Sequence, residues 1–139
     1  MSFTEGDYTD FLVRHLEGEH GDAWVDWLEQ HVTSERDMFQ FMFTTTLMAS
    51  KMIRLAASAP DTARFGVVNA GKHHDRDAGH AMSMIGAGLN DDHDTLSALI
   101  SAALSWPEEH LAKINATVLT AVYRAGQTLQ QQHREGTDA

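Results

Sequence analysis

His73, Asp77 and His80 stand at i, i+4 and i+7, so a continuous helix would carry all three on one face. Two imidazoles and a carboxylate can hold zinc or a similar divalent ion and leave one coordination position open. A solvated polar turn accounts for the same residues, because Gly71 precedes them and Gly79 falls among them, and both weaken the helix that would align them. This cluster is the candidate metal site, and a divalent metal is the one cofactor the sequence suggests.

Other constellations fall short of a working set. His74 and Asp75 form a dipeptide used by metal-dependent phosphohydrolases, but those enzymes need a separate upstream His and a downstream Asp. His31 and Asp94 are the available partners, and Asp94 sits where a helix cap is expected. A di-iron bundle needs carboxylates and imidazoles projecting inward from the middle of long helices. Here the acids of the long helices, Glu35, Asp37, Glu108 and Glu109, cluster at their starts, where capping and the helix dipole explain them. No nucleophile elbow, phosphate-cradling loop or dinucleotide fingerprint follows a strand. The chain has no cysteine, which removes disulfide frameworks, zinc–thiolate sites and thiol nucleophiles. No catalytic residue is assigned, and the balance points away from an enzyme.

Charge narrows the partners. The formal net charge is −10, from 20 acidic against 10 basic residues, so direct nucleic-acid binding through a basic face is not expected. The acids are scattered, as on a solvated surface; a sharper reading makes them an imitation of DNA that blocks a nucleic-acid-binding protein. No uncharged run is longer than that of residues 38–50, which is shorter than the ~20 apolar residues a bilayer needs. The start of the chain is acidic and lacks a secretory pattern. A soluble cytoplasmic protein is the expectation.

The elements that would position these residues are helices. Tyr8, Phe11, Leu12, His15 and Leu16 recur at helical spacing, with Asp7 as the expected N-cap and Gly18 and Gly21 as the stop. Trp24, Trp27, Leu28, His31 and Val32 form a second stripe from about Asp22. Ser34, Glu35 and Asp37 open a third helix, whose Met38, Phe39, Met42, Phe43, Met48 and Met52 cover more than half its circumference. These residues read as core, or as a soft surface for a partner's helix. Residues 62–89 carry Gly66, Gly71, Gly79, Gly86 and Gly88, so a helix loosened near Gly71 is predicted there, with Gly79, Ser83 and Gly86 on one closely packed face. Leu96, Leu99, Ile100 and Ala103 mark a fifth helix after a capping loop at residues 90–94. Pro107 restarts the chain, and Leu111, Ile114, Val118, Val122, Ala125 and Leu129 mark a long last helix that frays from His133.

The sequence thus predicts an all-α fold: a compact bundle of four to six helices in a single domain over residues 1–139, with residues 133–139 as a frayed tail. The expected function is binding another protein, or self-association, as a regulatory or assembly factor of the kind found among viral and phage accessory proteins, without catalysis. The alternatives are a metal-binding protein or metal-dependent hydrolase centred on His73, Asp77 and His80, and the acidic DNA mimic.

Overall fold

A computed structural model describes residues 5–19, 22–58 and 75–137. The described residues form six helices in chain order: α1 (Glu5–Leu16), α2 (Asp22–His31), α3 (Glu35–Ala56), α4 (Arg76–Leu89), α5 (His93–Leu104) and α6 (Glu108–Thr137). There is no strand among them, so the protein is all-α as the periodicity predicts. No helix among the described residues is long and apolar enough to cross a membrane. The chain divides into two compact units, Met1–Phe41 and Met42–Ala139. The boundary falls inside α3, where the sequence carries no linker signal.

The first unit is organised by aromatic rings. Tyr8 and Phe11, buried at helical spacing on α1, meet Trp27 of α2, with the Phe11 and Trp27 rings stacked at 4.7 Å. His31 stacks on the Trp27 ring at 4.6 Å, and its Nδ1 donates to the Trp27 carbonyl at 3.0 Å, one turn back on the same helix. Phe41 closes the cluster edge-on to Tyr8 at 6.0 Å. Such rings contribute through area burial and through quadrupole-directed contacts of about 0.5–1.5 kcal/mol each. The start of α3 is capped as its sequence predicts. Ser34 Oγ accepts from the Asp37 amide at 3.1 Å, and the buried Asp37 carboxylate accepts from the Thr33 amide at 3.2 Å. α1 begins at Glu5, two residues before the expected cap Asp7, so that both acids lie in its first turn, where the dipole favours them.

In the second unit α4 packs against both α5 and α6. Its core is made by Ala81, Met84 and Ile85 of α4, Leu96, Ile100 and Ala103 of α5, and Ile114, Val118 and Val122 of α6, all buried. α3 is fastened to α4 by polar links. Buried Ser50 donates to the carbonyls of Thr46 (2.9 Å) and Ile85 (3.0 Å), and the Arg54 guanidinium donates to the Leu89 carbonyl. Close approach of the two helices depends on Gly88: a Cβ there would overlap Ser50 Oγ and come within 3.1 Å of Ser50 Cβ. This corrects the expectation that Gly79, Ser83 and Gly86 make the tight face. Gly79 and Ser83 are exposed, and a Cβ at Gly79 would meet nothing within 4 Å. The loosening expected near Gly71, with Phe65 and Val68, lies outside the described residues. α6 continues to Thr137, and Gln132 donates to the Ala56 carbonyl at the end of α3 (2.8 Å).

Candidate functional site

α4 opens with Asp75, whose carboxylate accepts from the amides of Asp77 (3.0 Å) and Ala78 (3.5 Å) and fixes the first turn. That start places Asp77 facing inward, 3% exposed, where it meets His110 from the first turn of α6. His110 Nδ1 donates to both carboxylate oxygens, at 2.9 and 3.0 Å. One turn along α4, His80 Nε2 donates to the Leu99 carbonyl of α5 at 2.7 Å. Between the two imidazoles stands Trp106, edge-on to His80 at 4.7 Å and to His110 at 6.4 Å. The Arg76 guanidinium lies 4.0 Å over the Trp106 ring, a cation–π contact.

The start of α4, the end of α5 and the start of α6 therefore converge on a carboxylate, two imidazoles and an indole. The hydrogen bond to Asp77 sets the tautomer of His110 and leaves Nε2 as its open nitrogen, 3.8 Å from Glu109 Oε1. The bond to Leu99 does the same for His80, whose Nδ1 is the open one. An oriented imidazole with one nitrogen spent on an acceptor can take a proton or a soft cation at the other. Of the residues singled out in the sequence, Asp77 and His80 both belong to this cluster, while His73 lies outside the described residues. The Asp77 carboxylate is engaged by His110. Among the described residues no three His, Cys, Asp or Glu side chains are grouped to hold a metal ion. His110 is missed by spacing arguments because it pairs across 33 positions of sequence and sits at a helix start, where capping explains polar residues.

A second feature lies in the same unit. α3, α4 and α6 enclose a groove of about 620 Å³. Ile53 and Ala56 line it from α3, Ala57 from the turn that follows, and Ala121 and Ala125 from α6, so small side chains keep it open. Thr117, Thr120 and Thr128 also line it, but each hydroxyl donates to the carbonyl one turn back on α6, at 2.9, 2.8 and 3.1 Å. Their donors are spent within the helix. Met82, 43% exposed, supplies a thioether wall from α4, and Leu55, beside Ala56 on α3, is 55% exposed. Arg124 is the charged residue of the lining, and no carboxylate among the described residues pairs with it. The groove was not legible from spacing, because its alanines and threonines read as ordinary helix surface.

Compared with protein-family models, curated proteins and solved structures, the chain matches none.

Proposed function

We propose that the Met42–Ala139 unit is a protein-interaction module that receives an amphipathic helix of a partner in the groove between α3, α4 and α6. The observation that supports this reading is the character of the groove: its walls are alanine, isoleucine, methionine and threonines whose donors are already used. A helix-in-groove contact needs such an apolar floor and a few anchors spaced at i, i+3 or i+4 and i+7. Methionine adds an adaptable wall that can fit more than one anchor. Arg124, which no carboxylate among the described residues pairs with, calls for an acidic residue on the incoming helix. A second copy of the chain fits less well, because at −10 each copy repels the other.

Selection from a library of helix-forming peptides tests the reading directly. Binders should share apolar residues at helical spacing and at least one acid. Ala121→Trp, which fills the groove, and Arg124→Glu, which reverses its charge, should each weaken them roughly tenfold or more without lowering the melting temperature. Binders indifferent to both substitutions would place recognition elsewhere and end this reading.

A further inference from the structure

A second concavity, about 350 Å³ in volume, opens between α3, the turn at residues 90–92 and the first residue of α5. Its charged lining is unusual for this chain. Lys51 and Arg54 come from successive turns of α3, and His93 from the start of α5. The whole sequence has 10 Lys and Arg against 20 acids, so a lining with two cations and an imidazole against the one carboxylate of Asp91 departs locally from the prevailing sign. Lys51 is exposed, and no carboxylate among the described residues pairs with it. Arg54 is held in place by its bond to the Leu89 carbonyl. The His93 ring stands edge-on to Phe43 at 5.6 Å, which orients the imidazole.

The remaining lining restricts what fits. Ser50 and Gly88 belong to it, but the Ser50 hydroxyl is committed to the Thr46 and Ile85 carbonyls. The amides of Asn90, Asp91 and Asp92 are committed to carbonyls of Gly86, Gly88 and Ala87, at 3.1, 3.1 and 2.9 Å. Side chains are therefore the binding groups. Asp91, in the left-handed region at φ 55°, adds one carboxylate to the lining. A carboxylate repels a bare anion and accepts from a hydroxyl, whereas Lys and Arg together suit a phosphate. The volume lies at the low end for small-molecule sites, and the single acid within it disfavours a polyanion.

We propose that this concavity binds a small phosphate monoester that also carries a hydroxyl group, with the phosphate held by Lys51 and Arg54 and the hydroxyl by Asp91. His93 supplies a further donor at its edge. The site is separate from the α3–α4–α6 groove and does not depend on what the groove receives.

The test titrates glycerol 3-phosphate and, separately, inorganic phosphate into the full chain at low ionic strength, reading the His93 ring signals by NMR. Glycerol 3-phosphate should shift them saturably and bind more tightly than inorganic phosphate. Lys51→Glu, at an exposed position whose folding is checked by melting, should weaken both ligands roughly tenfold or more. Asp91→Asn keeps a residue that tolerates the left-handed backbone, and it should bring the two ligands to similar affinity. The proposal is overturned if the parent shows no saturable shift, if Lys51→Glu binds as the parent does, or if the parent already binds both ligands equally.

Discussion

At the start of α5, Asp92 accepts hydrogen bonds from the Thr95 hydroxyl at 2.6 Å and from the Thr95 amide at 3.2 Å. Those two bonds, the hydroxyl first, hold the carboxyl below its ordinary value of 3.8, with the nearby His93 adding in the same direction. A carboxyl depressed in the folded state contributes stability above its unfolded value and loses it as pH falls through the folded one. Asp92→Ala should therefore melt below the parent at neutral pH. The gap should close as pH drops below the ordinary carboxylate range, and melting curves at pH 7 and pH 2–3 measure it; a gap that persists undiminished in acid would assign the cap's worth to packing instead. A cap within residues 90–94 is legible in the sequence, because a cap works within a few residues of itself, but the structure gives that role to Asp92 and places the expected Asp94 inside the first turn of α5. The link between Asp77 and His110 is not, because it depends on how two helix starts come together.

The same division holds for whole helices. The cap at Ser34, a cap in the loop at residues 90–94 and the apolar stripes of α2, α5 and α6 are local properties, so residue spacing predicts them and the structure carries them. Where α3 and α4 touch is a property of two surfaces, and counting glycines on one helix selects the wrong positions. Gly79 and Gly88 separate the two effects. Gly79→Ala adds a methyl at an exposed helical position that meets nothing, and should stabilise by about 0.5–1 kcal/mol through helix propensity alone. Gly88→Ala gains the same propensity but drives a Cβ into Ser50, and overpacking of this kind costs about 1–3 kcal/mol. Denaturant unfolding of both variants should give shifts of opposite sign. Equal shifts would mean that α3 and α4 part easily at this contact.

Across the molecule, a net charge of −10 surrounds one mostly apolar groove and one concavity with a local excess of cations. Salt should act on the two differently. Screening lengths shorten from about 30 Å at 0.01 M to about 3 Å at 1 M, so binding led by exposed charges fades while apolar burial remains. Affinity for a groove-binding peptide should keep its apolar part over that range and lose no more than the roughly tenfold share carried by Arg124, and affinity for a phosphate ester should fall steeply. A peptide affinity that collapsed with salt would point to recognition led by charge, as the DNA-mimic reading requires. Composition makes the overall acidity plain, but the two surfaces arise where separate helices bring their side chains together, and no window of sequence contains either.

The meeting of Gly88 and Ser50 also bears on how this chain can change by descent. Position 88 has no room to grow while position 50 carries a hydroxyl, and position 50 cannot lose that hydroxyl without also giving up its bonds to Thr46 and Ile85. The order of substitutions therefore matters: Ser50 must shrink before Gly88 can enlarge, since the opposite order passes through a clash. Two residues 38 positions apart are bound into one heritable unit, and lineages of this protein should keep the pair or replace both members together.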